Sequence, residues 1–238
     1  MGKKQNRHPS NPFTAIHPDV YRHLLHLPLL SYSLFVPRQA AVKTAKKDGF
    51  PPIILVHGLG GRRGDLLPME CYLRFSGRKR TYRIGIDDKR SLSGKSRSLA
   101  LFIQKVLQMN DCSQVDIVAY SLGGIVARLA ILDHGIASHV RRLVTLGTPH
   151  RGTIPARYMD TRLIRDLHPD SPVIQRLNRS KWPKGIKGTT FWSKNDLFVL
   201  PSQSASVSGT TRIDMSPFTH FSYLIDPKSW SAVKKALV

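Results

Sequence analysis

One serine, placed between an apolar run and a pair of glycines, constrains this chain more than any other feature. Residues 115–124 read Val-Asp-Ile-Val-Ala-Tyr-Ser-Leu-Gly-Gly. A buried strand, a sharp turn carrying Ser121 and an immediate helix are the pattern of a nucleophile elbow. The turn is cramped, so small residues are needed two before and two after the serine. Ala119 and Gly123 fill those places. Alanine is the mildest departure from the usual first glycine.

The rest of the chain alternates strands with helices around that turn. Pro51-Pro52 introduces Ile53-Ile54-Leu55-Val56, a short continuous apolar run suited to a strand buried on both faces, and His57–Gly61 follows as a glycine turn. Further strands are expected at 81–86, 115–119, 142–146, 189–193 and 206–213. Helices are expected at 98–109, 122–132 with Gly135 as the stop, and 228–237. Residues 151–186 break the rhythm, with helical pieces around 163–167 and 173–177 separated by Pro169 and Pro172. The reading is α/β: a mostly parallel sheet flanked by helices, with a short helical insertion at about 151–186. Ligands gather beyond the carboxyl ends of such strands, where His57–Gly61, Ser121 and Thr148–His150 converge.

A serine hydroxyl is a poor nucleophile without a histidine to take its proton, a carboxylate to orient the histidine and N–H donors for the oxyanion. On this type of sheet the chain order is serine, acid, histidine. Asp196, just past the strand at 189–193, is the best acid, and His220, before the closing helix, is the best base. Asp196 could instead cap a turn beside Asn195, and His220 could be a half-buried structural histidine between Phe218 and Phe221. Asp214 is a rival acid but lies only six residues before His220. Asp226 follows His220 and breaks the order. Leu122, at the helix N-terminus, and Leu59, in the glycine turn, are the expected oxyanion donors through their backbone N–H groups. His57 and His150 are read as structural. Gly94-Lys95-Ser96 lacks the glycine a P-loop needs five residues earlier, where Lys89 stands, and no Cys/His cluster has zinc spacing. No cofactor and no metal are called for.

Composition adds bounds. The 238 residues allow one sizeable core. Residues 1–48 are read as a basic extension and 49–238 as the domain. With 37 Lys+Arg against 15 Asp+Glu, the formal charge is +22, but 98–150 is nearly neutral. The excess sits in 1–48 (8 basic, 2 acidic), 62–97 (11 and 4) and 151–188 (9 and 3). That field attracts anionic partners, or it is a solvated surface with none. No apolar run approaches the ~20 residues of a membrane span. Leu24–Val36 is apolar but broken by His26 and Pro28; it packs on the domain or serves as a weak interfacial anchor. No cleavable secretory signal is read, so the expected location is cytoplasmic or peripheral at a membrane. Cys71 and Cys112 show no redox or metal spacing and read as two free thiols, although pairing is open.

Four segments in order resemble the lipase and esterase branch of the α/β-hydrolase family, in particular small bacterial triacylglycerol lipases. They are Val56–Gly61 (the oxyanion turn), Asp116–Gly124 (the elbow, in its Ala-x-Ser-x-Gly variant), Leu146–Thr153 and Asp166–Asn178 (a lid-region signature). The resemblance runs from about Ile53 to Tyr223. It implies an α/β-hydrolase fold with Ser121 as nucleophile, Asp196 as acid, His220 as base, and Leu59 and Leu122 as oxyanion donors. Tyr120 stands where the family often has histidine. The implied activity is carboxylic ester hydrolysis on acylglycerol or other lipid esters through an acyl-enzyme. Residues 151–186 would form a lid with an apolar face of Leu163, Ile164, Leu167, Val173, Ile174 and Leu177. Basic residues of 62–97 and 151–188 would ring the mouth and favour an anionic membrane surface. Alternatives are a thioesterase, polyester depolymerase or acyltransferase, or a non-catalytic lipid-binding protein. No specific nucleic-acid partner is expected, and oligomeric state is left open.

Overall fold

The computed structural model describes residues 45–158 and 162–238, together with Tyr21, Leu24, Pro28, Ser31, Phe35 and Val36. Apart from those six positions, the basic extension up to residue 44 and the apolar stretch expected to pack or anchor lie outside the described residues. So does the side chain of Leu163.

Six parallel strands form one sheet in the order β2-β1-β3-β4-β5-β6. They are β1 (Ile53–Val56), β2 (Thr81–Ile84), β3 (Val115–Tyr120), β4 (Val140–Leu146), β5 (Lys187–Trp192) and β6 (Thr210–Asp214). Parallel neighbours need crossovers, and helices supply most of them. The helices are α1 (Leu67–Phe75), α2 (Leu92–Asn110), α3 (Leu122–Asp133), α4 (Arg162–Arg165), α5 (Pro172–Arg179), α6 (Ser222–Ile225) and α7 (Pro227–Ala236). Among the described residues no helix is long and apolar enough to cross a membrane.

The continuous apolar strands explain the layering. Side chains alternate between faces, so a strand rich in Ile, Leu and Val on both must be covered on both. Ile54 and Val56 of β1, with Ile117 and Ala119 of β3, face a core built with α2 and α3. Ile53 and Leu55, with Val118 and Tyr120, face a second core built with α1, α6 and α7. Every residue of β1 and β3 is buried.

The sequence expectations differ from the structure mainly at element starts. Helix α2 begins at Leu92, six residues before its expected start, because the Ser91 hydroxyl accepts the Gly94 N–H and caps it. Ser93, Gly94 and Lys95 weaken the helical signal there. Helix α1 was not anticipated; Pro68 sits in its first turn and only Met69, Glu70 and Leu73 are buried, too few to show a period. Strand β6 starts at Thr210, not 206, because residues Ser202–Ala205 form a 3-10 turn and Gly209 takes φ 84°. Cys71 is exposed and Cys112 half-buried, both as free thiols.

At the amino ends of the strands a buried ion cluster ties the chain terminus to the sheet. Asp116, fully buried, accepts from Arg78 Nη2 (3.0 Å) and from Arg141 Nε and Nη2 (2.9 and 2.6 Å). The same two arginines donate to the Leu237 carbonyl (3.4 and 3.1 Å). Deleting the one anion strands a buried guanidinium. Asp116→Asn is therefore expected to cost about 3–5 kcal/mol in urea unfolding. A loss below about 0.5 kcal/mol, the level of an ordinary surface change, would contradict this account.

Candidate active site

The turn after β3 is the geometric centre of the site. Ser121 has φ 53° and ψ −124°, outside the regions that L-residues occupy comfortably. Such backbone costs about 1–3 kcal/mol and persists only where its surroundings over-determine it. Here the Ser121 N–H donates to the Leu146 carbonyl (2.8 Å), and the Ser121 carbonyl accepts from Gly124 N–H (3.0 Å) and Thr148 Oγ1 (2.9 Å). The first turn of α3 is pressed against β1 and the loop after β4. A Cβ on Gly123 would lie 2.7 Å from the carbonyl oxygens of Val56 and His57, and one on Gly124 would lie 2.3 Å from Thr148 Oγ1. No side chain fits at either place.

The structure brings the three expected side chains together across 99 residues. His220 Nε2 lies 2.9 Å from Ser121 Oγ, and His220 Nδ1 lies 2.8 Å from Asp196 Oδ2. A carboxylate accepts, so Nδ1 carries the proton and Nε2 is free to accept from the serine hydroxyl. The other Asp196 oxygen accepts the Phe198 N–H at 3.0 Å. Asp196 and His220 are buried, and Ser121 is half-buried at the surface of a cavity. Asp196 follows β5 directly, and His220 precedes α6. The rival Asp214 is exposed at the end of β6 and accepts from Ser216. Asp226 caps α7.

The cavity beside Ser121 measures about 450 Å³. Its walls are chiefly Leu59, Tyr120, Pro149, Ile164, Leu167, Phe198, Phe221 and Leu224, and His220 opens into it. This is the composition of a site that holds an apolar body against a few polar groups. Leu59 lies on its wall, and Leu122, buried, opens α3, where the first N–H groups have no intrahelical acceptor. No lysine or arginine lines the cavity among the described residues. Arg62, Arg63 and Lys89 line an adjoining cavity of about 280 Å³ that shares Gly61 with it. Of the expected apolar lid face, Ile164 and Leu167 reach the cavity wall, whereas Ile174, Leu177 and Val173 pack into the core with α2 and α3.

The two histidines read as structural, His57 and His150, make their hydrogen bonds away from Ser121. His57 Nδ1 donates to the Gly58 carbonyl (2.9 Å), and Nε2 accepts from Ile86 N–H (3.0 Å). Burial pulls its pKa down. His150 is fully buried against Thr145 Oγ1 (2.9 Å), and burial, reinforced by the Arg128 charge, holds it neutral.

Phe198 and the role of Gly147 escaped the sequence reading, which noted Tyr120 only as the residue that replaces a histidine. Phe198 stacks on the His220 ring (centroids 4.9 Å, 27°), while Tyr120 lies 4.9 Å away on a tilted plane. Phe198 is two residues past Asp196, so its position follows once Asp196 is placed. Tyr120 is buried with no hydrogen-bond partner for its hydroxyl among the described residues, and burial raises its pKa well above the usual phenol range. Gly147, at φ 52°, gives Asp196 and His220 their room: a Cβ there would lie 2.8 Å from Asp196 Oδ2 and 3.2 Å from His220 Nδ1. The signal was a glycine directly after a strand that precedes no hairpin.

Comparison with known proteins bears on the fold that carries this site. A family model described as the PGAP1-like alpha/beta domain matches residues 82–166, a stretch that includes the Ser121 turn. Among solved structures, lipase B of Aspergillus fumigatus superposes with a TM-score of 0.69 at 18% identity, over 85% of this chain and 59% of that one. This chain thus spans less than two thirds of that lipase. The mature lipase BlEst2 of Bacillus licheniformis gives 0.66 at 18% identity, over 85% and 99%. The lin2722 product of Listeria innocua gives 0.61 at 16% identity, over 79% and 94%. The chain has the α/β-hydrolase fold.

Gly147→Ala tests the geometry. Displacing Asp196 or His220 by about 1 Å is expected to slow phosphonylation of Ser121 by a fluorophosphonate probe about 10²-fold, with the far-ultraviolet dichroism unchanged. Labelling at the wild-type rate would show that the two side chains do not depend on this clearance.

Proposed function

We propose that the protein is a serine-dependent carboxylic ester hydrolase acting on lipid esters. The observation that carries this reading is the unbroken contact from Asp196 through His220 to Ser121 at the wall of an apolar cavity. The lipase names among its structural neighbours agree with it.

In this mechanism Ser121 Oγ attacks the ester carbonyl carbon while His220 Nε2 accepts the hydroxyl proton. Asp196 holds the ring so that Nε2 faces the serine and stabilises the imidazolium that forms. The carbonyl oxygen becomes an oxyanion and takes hydrogen bonds from the backbone N–H groups of Leu59 and Leu122. The C–O bond to the alcohol breaks, His220 returns the proton to that oxygen, and the acyl group stays on Ser121. Water then attacks the acyl carbon, with His220 again taking a proton and giving it to Ser121 Oγ as the acid leaves. The acyl chain lies against Ile164, Leu167 and Leu224, which line the cavity.

Hydrolysis of p-nitrophenyl esters from acetate to palmitate, read beside Ser121→Ala, tests the proposal. The expected result is turnover that falls by on the order of 10⁴–10⁶ in the variant. Turnover that survives the substitution would remove Ser121 from the reaction. Activity on acyl thioesters above that on oxyesters would move the substrate class to thioesters on the same residues. No turnover of any ester by the wild type would favour a lipid-binding protein.

A further inference from the structure

Away from Ser121 a third cavity, of about 550 Å³, shares no lining residue with the one beside Ser121 among the described residues. Four cationic side chains line it: Arg128 from α3, Arg151 from the loop after β4, Arg179 at the end of α5, and Lys181 just beyond. Among the described residues no carboxylate lines it and none pairs with any of the four. The acids nearest in sequence are engaged elsewhere: Asp133 pairs with Arg176.

Two features separate this from a solvated basic face. Arg128 is only 8% exposed, and its two recorded hydrogen bonds go to neutral carbonyls, Nη2 to Leu177 (2.6 Å) and Nη1 to His150 (3.4 Å). A guanidinium carries five donors, so three remain, and a buried cation without an anion is costly. Burial alone pulls its pKa down to about 10. Ser206 is 9% exposed, lines the same cavity, and its hydroxyl has no hydrogen-bond partner among the described residues. A buried hydroxyl left unpaired costs about 1–3 kcal/mol, and the residue that carries it lines a cavity of ligand size. Trp182 forms one wall and is held by its indole N–H on the Ile186 carbonyl (2.8 Å).

We propose that this cavity binds a phosphate-bearing ligand, whose charged oxygens accept from Arg128, Ser206, Arg179 and Lys181. Several cations around one hydroxyl match a multiply charged oxyanion better than a single carboxylate, and charge-assisted bonds to guanidinium are the strong kind. The phosphate group can come from a soluble molecule or from a lipid headgroup, and the test separates the two.

The test is titration of the full chain with pyrophosphate by calorimetry, and in parallel binding to phosphatidylcholine vesicles with and without phosphatidic acid, both at about 0.15 M salt, where long-range attraction is screened. Saturable pyrophosphate binding is expected, weakened about tenfold or more by Arg179→Ala/Lys181→Ala and by Ser206→Ala. Removing the Ser206 hydroxyl leaves the ligand-free protein no less stable, which separates binding from folding. Lys234→Ala/Lys235→Ala on α7 removes the same charge elsewhere and leaves affinity unchanged. Binding to phosphatidic acid vesicles alone, with the same sensitivity, assigns the site to a headgroup. The proposal is overturned if neither probe binds, if the pocket variants bind like the wild type, or if the α7 variant weakens binding equally.

Discussion

The backbone at Ser121 is the constraint on which the rest of the site depends. A residue at φ 53° between a buried strand and a helix holds only if the helix starts hard against its neighbours. Gly123 and Gly124 permit that approach, and the carbonyls of Val56 and His57 on one side and the Thr148 side chain on the other leave no alternative seat. The strained turn lifts the serine hydroxyl out of the sheet and turns it to His220. It also places the first N–H groups of α3 beside the same point. One local distortion thus sets the direction of the hydroxyl and the position of the donors together.

The sheet supplies what the turn cannot. Because β1, β3, β4 and β5 run parallel, their carboxyl ends meet at one edge, and the loops that leave them bring Leu59, Ser121, Gly147 and Asp196 within reach of one another. The opposite ends are tied by Asp116, whose buried carboxylate gathers Arg78 and Arg141. Charge is thereby separated by function. At the amino ends it is paired and structural, at the apolar cavity it is confined to a few groups, and around Arg128 it has no counter-ion among the described residues.

Much of this was legible because it is local. Short stretches rich in apolar and β-branched residues, with glycine or serine at or just past their ends, marked five of the six strands closely, and the strand–serine–glycine order marked the turn. Asp196 and His220 could be chosen from chain order and loop position, and the six-residue spacing of Asp214 from His220 was a weak local argument against that rival. The structure supplies the stronger ground: β5 delivers Asp196 behind Gly147, whereas Asp214 ends an edge strand in solvent. The same reasoning explains the misses. Phe198 over His220, the clearance at Gly147 and the lining of one cavity by Arg128 and Ser206 each depend on segments brought together by the sheet. Helix α1 was lost because one buried face of three residues is too short to show a period.

The central claim is that Ser121 is the nucleophile and carries the acyl group. Mapping the covalent adduct tests it most directly. The protein is quenched in acid during turnover of a p-nitrophenyl ester, and the digest is read by mass spectrometry. The account predicts a single acyl mass on the peptide containing Ser121, and its loss in His220→Ala. An acyl group on another residue, or steady turnover with no adduct at Ser121 under conditions that trap it, would contradict the account.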